Sequence, residues 1–159
     1  MIDEKNFRKV LGHLPTGVAV VTAEDGGQPT GMAINSLTSV SLKPPLILLC
    51  PAKTSQTWPG IRRAGRFCIN VMAAHQEAAC RQLSQKHVDR FADLTLVERR
   101  SGPALADAIA WMDCELFEEH DAGDHTIVVA RVLAVEAVPD TEPLVFFRGR
   151  YGTVKVSTA

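Results

Sequence analysis

Val18-Ala19-Val20-Val21-Thr22-Ala23-Glu24-Asp25-Gly26-Gly27-Gln28-Pro29-Thr30-Gly31-Met32-Ala33-Ile34 reads as two strands joined by a tight connection. Val18 to Ala23 is apolar and rich in β-branched residues, and such side chains pack well on a pleated surface. Glu24 to Pro29 is dense in turn formers, and Gly26-Gly27 supplies the backbone freedom a hairpin needs. Thr30 to Ile34 then returns antiparallel.

Working outward, the same reading recurs. Leu46–Cys50 and Phe67–Met72 are apolar strands. Ala108 to Glu119 alternates: Ala110, Met112, Cys114 and Leu116 point one way, and Trp111, Asp113, Glu115 and Phe117 the other. Asp121-Ala122-Gly123-Asp124 is a turn, and His125 to Val138 a long β-branched strand. Pro143–Phe147 and Tyr151–Val156 bring the count to about seven. Two or three short helices are predicted. Asp3 to Leu14 places Phe7, Val10, Leu11 and Leu14 at helical spacing, with Asp3 as N-cap and Gly12 as a stop. Thr54-Ser55 can cap a helix through Ala64, with Pro59 in its first turn and Gly65 past its end. Gln76 to Gln85 is the third. Regular strand–helix alternation is absent, so a mainly β, antiparallel closed or split barrel is predicted in place of a doubly wound sheet.

The 159 residues suit a single domain, 1–159, with 46% apolar and 22% charged residues. The net charge of −1 implies no nucleic-acid partner and no attraction to an anionic membrane. The longest apolar run, Pro44 to Pro51, falls short of the roughly 20 residues a membrane-spanning helix needs. Met1-Ile2-Asp3-Glu4-Lys5 is charged and unlike a signal peptide, so the expected compartment is the cytoplasm. The four cysteines, Cys50, Cys68, Cys80 and Cys114, form no C-x-x-C pair. The order Cys68, His75, Cys80, His87 matches no usual zinc spacing, so no metal site is expected and the thiols are read as buried and inert.

Four segments could carry chemistry. Asn35, Ser36, Thr38, Ser39 and Ser41 lie between apolar strands, so they are expected near the core, where polar groups need partners. A ligand with a rim of amides and carbonyls would satisfy them; a loop bonded to its own backbone would do so equally well. Lys53, Thr54 and Ser55 stand where a helix is expected to begin, which suits an anion or simple capping. Ser84 to Phe91 mixes Lys86, His87 and Arg90 with one aromatic, as a binding loop or a solvated turn would. His125 sits where a turn enters a strand, placed to donate to a ligand or to lie at the surface. No nucleophile–base set, paired carboxylates or glycine-rich phosphate loop is present.

At these segments the chain resembles the flavin reductase-like family of FMN-binding split barrels, the small reductase components of two-component flavin-dependent monooxygenases. The resemblance is carried by Leu14 to Thr22, Gly31 to Leu46, Arg66 to Val71, Asp89 to Ala92, Gly123-Asp124-His125 and Phe146 to Tyr151. It covers nearly the whole chain in the expected order. It implies a Greek-key split barrel, a homodimer, and FMN or FAD bound near the subunit interface. By likeness, Ala33, Asn35, Ser36, Leu37, Thr38 and Ser39 would meet the isoalloxazine ring. Cys50, Lys53, Thr54 and Ser55 would meet the ribityl chain and phosphate. Lys86 and Phe91 would approach from the next loop. His125 would position the nicotinamide, and Arg148 to Tyr151 would help close the pocket. Leu37 departs from the aromatic common at its position, and little chain follows Tyr151. The implied reaction is hydride transfer from NADH or NADPH to flavin, supplying reduced flavin to a partner monooxygenase. The protein's task is then to hold two rings roughly 3–3.5 Å apart, with the cofactors supplying the chemistry. The rival readings are a non-catalytic flavin-binding protein for storage or sensing, and an oxidase acting directly on a small organic substrate.

Overall fold

The computed structural model describes residues 1–86 and 89–155; His87 of the basic loop and Val156 of the last expected strand lie outside them. In chain order the elements are α1 (Glu4–Leu11), β1 (Thr16–Gly17), β2 (Ala19–Asp25), β3 (Gln28–Ile34), β4 (Thr38–Leu42), β5 (Pro45–Leu49), α2 (Trp58–Ala64), β6 (Arg66–Val71), α3 (Glu77–Leu83), β7 (Leu96–Arg99), β8 (Gly102–Leu105), β9 (Ala110–Ala122), β10 (His125–Ala137), β11 (Val145–Phe147) and β12 (Arg150–Gly152). A single 3-10 turn, Ala74–Gln76, leads into α3.

Seven strands form one antiparallel sheet in the order β3-β2-β6-β9-β10-β5-β4. β3 and β4 are its two edges, yet only Asn35, Ser36 and Leu37 separate them in the chain. So short a link spans at most about 14 Å between Ile34 and Thr38. The sheet must therefore curl until its edges face each other, which makes an antiparallel split β-barrel, as expected. Successive residues serve opposite faces. Val21, Phe67, Ile69 and Cys114 point into the barrel with Leu49 and Val128. Trp58 and Ile61 of α2 join that core, with Trp58 edge-on to Phe67 at 6.1 Å between centroids. Val20 faces outward, where it packs with Met72, Leu144, and Cys80 and Leu83 of α3. Asn70 is fully buried on this outer side. Its amide donates to the carbonyl of Val20 and the hydroxyl of Thr22, both at 2.9 Å, and its oxygen accepts from Leu105 N at 2.8 Å. It thereby ties β8 across β2 and β6.

Several expectations need correction. α1 stops at Leu11, capped by Gly12, and none of its residues is buried. α2 begins at Trp58, three residues after Ser55, because Ser55 Oγ accepts from the backbone N–H of Thr57 (3.3 Å) and Trp58 (3.1 Å) and so bends the chain before the first helical turn. The hydroxyl-rich segment is not core: after Ser36 and Leu37 it becomes edge strand β4, with Thr38, Ser39 and Val40 exposed. An edge strand pairs on one side only and keeps its polar groups in solvent. The hairpin β7–β8 and the three-stranded sheet β1-β11-β12 were not expected as such. Cys68, Cys80 and Cys114 are buried, as expected, and Cys50 is half-buried.

Candidate functional site

Two adjoining hollows meet at Ala33 and Ser84 to make one elongated cleft beside the free edge of β3. The apolar end, about 200 Å3, is walled by Val18, Ile34, Phe146 and Tyr151, with Asn35 at its rim. The polar end, about 280 Å3, is lined by Met32, Ser55, Gln56, Thr57, Gln85, Lys86 and Arg90. An apolar slot with a few convergent polar groups at one end is the usual form of a small-molecule site.

Local packing explains why these side chains converge. β3 has Gly31 where the loop after α3 comes closest. A Cβ there would stand 2.7 Å from the Val21 carbonyl oxygen and 3.0 Å from the Phe91 ring. The bare glycine lets Phe91 lie against β3 as part of the outer core. Arg90 Nη1 then donates to the Gly31 carbonyl at 3.4 Å and borders the cleft. Gln82 Nε2 fixes the same loop by donating to Arg90 O (3.2 Å) and Ala92 O (2.6 Å). At the other end Phe146 and Tyr151 pack edge to face at 5.3 Å, and the Arg81 guanidinium lies 5.0 Å over the Tyr151 ring. Burial pushes the Tyr151 phenol above its ordinary value, so it stays protonated at neutral pH.

A second group of expected residues is assembled by two turns. Cys50 N donates to Ser36 Oγ at 2.9 Å, joining the β3–β4 link to the end of β5. Lys53 N donates to Asp124 O (2.9 Å) and Thr126 N to Pro51 O (3.0 Å), which binds segment 50–55 to the β9–β10 turn. Gly123 makes that turn with a φ of 67°. His125 is 45% exposed and its Nδ1 donates to Asp124 Oδ1 at 2.8 Å. That bond, and then the ring's charge, hold the Asp124 carboxyl below its ordinary value. The carboxylate therefore stays ionised and orients the imidazole. Burial raises the Cys50 thiol, so it is no ready thiolate nucleophile.

The structure thus brings Ala33, Asn35, Ser55, Lys86 and Tyr151 into the cleft itself. Ser36 and Cys50 are bonded to each other, and Leu37 packs against the barrel core. Thr38 and Ser39 lie on the exposed edge β4, and Thr54 is exposed in its loop. Lys53 is ion-paired with Asp121 and borders a different hollow, with Trp58, Arg62 and Glu119. Phe91 lies under the cleft and Arg148 beyond it, at the β11–β12 turn. Sequence reading named Ser84 and Arg90 only as members of the Ser84 to Phe91 segment, left both out of the expected site, and missed Thr57. The signal for Arg90 was its place beside Phe91: once Phe91 is taken as core, its neighbour must face the other way. Ser84 stands where α3 ends, its hydroxyl donating to Cys80 O at 2.8 Å.

A family profile described as "Flavin reductase like domain" matches residues 11–155. The chain is 42% identical over 151 residues to the reductase subunit of a flavin-dependent monooxygenase from Rhodococcus jostii (strain RHA1), covering 94% of this chain and 77% of that one. Among solved structures, a homologue of nitrilotriacetate monooxygenase component B from Mycobacterium thermoresistibile superposes with a TM-score of 0.94 at 35% identity, covering 99% of this chain and 91% of its own. The NADH:FAD oxidoreductase of Streptomyces globisporus C-1027, in complex with NAD and FAD fragments, gives 0.90 at 35% identity, covering 98% and 96%.

Proposed function

The chain belongs to the flavin reductase-like family, and from that premise we propose that its cleft is the flavin site of an NADH-dependent flavin reductase. The enzyme reduces FMN or FAD and supplies reduced flavin to a flavin-dependent monooxygenase, the role named for its relatives. The observation that carries this reading is the cleft's division of labour: an apolar slot at one end and two cations with hydroxyls and amides at the other.

The donor set fits a flavin. Ala33, Val18 and Tyr151 offer flat apolar walls for the ring, and Asn35 offers an amide for its carbonyl rim. Lys86 and Arg90, with Ser55 and Thr57, suit the phosphate. Lys53 is engaged with Asp121, so Lys86 and Arg90 replace it as the nearest cations. When bound, the flavin accepts a hydride and the nicotinamide gives one. The chain's own work is to hold both rings and exclude water between them. Ser36, anchored by Cys50 N, keeps the β3–β4 link at the ring edge. His125, oriented by the ionised Asp124, positions the nicotinamide through its free nitrogen. Tyr151 closes the far wall.

The unit is a single domain acting as a homodimer in the cytoplasm. Val40 and Leu42 on edge β4, and Phe7, Val10 and Leu11 on α1, are 48 to 85% exposed apolar side chains that a second copy would cover. Among the described residues no helix is long and apolar enough to cross a membrane. The test is to mix the chain with FMN or FAD and NADH and follow the nicotinamide absorbance band. Flavin-dependent oxidation is expected. Flavin binding with no oxidation of NADH or NADPH would leave only a flavin carrier.

A further inference from the structure

The hairpin that closes the apolar end of the cleft runs on into a second cavity of different chemistry. Phe146 and Tyr151 line the cleft, whereas Arg148 and Gly149 at the hairpin turn line a space of about 580 Å3 whose opposite wall is α1. Phe146 to Arg148 is two residues of extended chain, about 7 Å. Lys5, Arg8 and Lys9 stand at i, i+3 and i+4, so one face of α1 presents all three. The wall contains these cations, Arg148 and His13, and no carboxylate.

The cavity is built, not incidental. Arg148 adopts a φ of 49°, a left-handed conformation uncommon for a side chain of this size. Its N–H donates to Gly12 O at 2.9 Å, locking the turn to the end of α1, and its guanidinium lies 4.9 Å over the Phe147 ring. Among the described residues no ion pair includes Lys5, Arg8, Lys9 or Arg148. Like charges facing one cavity repel, and a multivalent anion relieves that repulsion.

We infer that Lys5, Arg8, Lys9 and Arg148 form a seat for the pyrophosphate of a dinucleotide. The inference rests on the flavin reductase reading, in which the reacting rings occupy the neighbouring cleft. A nicotinamide ring held there carries its pyrophosphate one ribose away, and the hairpin turn joins the two spaces. The pyrophosphate is that of the nicotinamide dinucleotide, because the flavin phosphate, and with it the pyrophosphate of FAD, belongs to Lys86 and Arg90 at the other end of the cleft.

The test is isothermal titration of the full chain with NAD+, FAD, FMN and inorganic pyrophosphate. Parent, Lys5→Ala/Lys9→Ala and Arg148→Asn are compared; asparagine tolerates the left-handed backbone, and both lysines are exposed on α1. NAD+ and pyrophosphate affinity is expected to fall about tenfold for each charge-assisted hydrogen bond removed, with FMN and FAD affinity unchanged. A fall confined to NAD+ and pyrophosphate assigns the seat to the hydride donor, and a fall confined to FAD would overturn that assignment. Equal affinity of parent and both variants for NAD+, FAD and pyrophosphate overturns the inference. A parent that binds NAD+ through these cations yet oxidises no NADH with either flavin would sink the reductase reading and leave the seat standing.

Discussion

Gly31→Ala is expected to destabilise the chain and weaken flavin binding together. Gly31 is buried and has ordinary extended backbone, so alanine needs no unusual φ there. Conformational entropy alone would then favour alanine by about 0.4–1 kcal/mol. Sterics oppose it. The new methyl carbon would lie 2.7 Å from the Val21 carbonyl oxygen, 3.0 Å from the Phe91 ring and 3.3 Å from Thr22 Cγ2. Phe91 can tilt away, but the Val21 oxygen belongs to central strand β2, which pairs with both β3 and β6. Overpacking of this kind costs about 1–3 kcal/mol. For a chain of this length each kcal/mol is about 2–4 °C in Tm, so a net cost of up to about 2.6 kcal/mol after the entropic gain means a fall of up to roughly 10 °C. Moving Phe91 also moves Arg90 off the Gly31 carbonyl, so FMN affinity should drop about tenfold, the worth of one charge-assisted hydrogen bond. Thermal unfolding and fluorescence titration with FMN read the two effects. An alanine variant as stable as the parent, with parental FMN affinity, would refute the claim that Gly31 sets the position of this loop.

Asn70→Leu should cost roughly 3–5 kcal/mol, because Leu105 N, Val20 O and Thr22 Oγ1 lose their buried partner; a change below about 1 kcal/mol in urea unfolding would contradict the bridging role. His125→Ala should raise the KM for NADH more than it weakens flavin binding, and collapse of FMN affinity with unchanged NADH kinetics would show that His125 serves the flavin instead. Burial pushes the Cys68 and Cys114 thiols up to about 12 and Cys80 up to about 11, against an ordinary 9.0. The unfolded chain therefore releases these protons first, so their contribution is complete below pH 9.0 and is lost as pH rises toward 11 and 12. Unfolding measured across that range should show the decline, and a Cys68→Ala/Cys114→Ala variant should show less of it; equal slopes would contradict the burial argument.

Much of the fold was legible because its signals are local. The hairpin of β2 and β3 carries its own turn, and β9 and β10 alternate around Gly123. The cap of α1 lies in Asp3 itself, whose side chain accepts from Asn6 N at 3.0 Å. What failed depends on distant partners. Thr38 to Ser41 could be core or edge until β5 was known to be their only neighbour in the sheet. The start of α2 is a local exception: one hydroxyl, Ser55, captures two backbone N–H groups just ahead of the helix. Lys53 and Arg90 exchanged expected importance because their partners are distant. Asp121, 68 residues away, draws Lys53 aside, and Gly31, 59 residues away, receives Arg90. The family motifs located the cleft; only packing decides which side chains enter it.

The most direct measurement is anaerobic mixing of the chain and FMN with NADH in a stopped-flow spectrometer, following bleaching of the flavin band. Bleaching far faster than that of free FMN, with a primary isotope effect when the transferred hydrogen of NADH is deuterium, is the expected result. Bleaching no faster than in the absence of the chain, under conditions where FMN is demonstrably bound, would contradict the account.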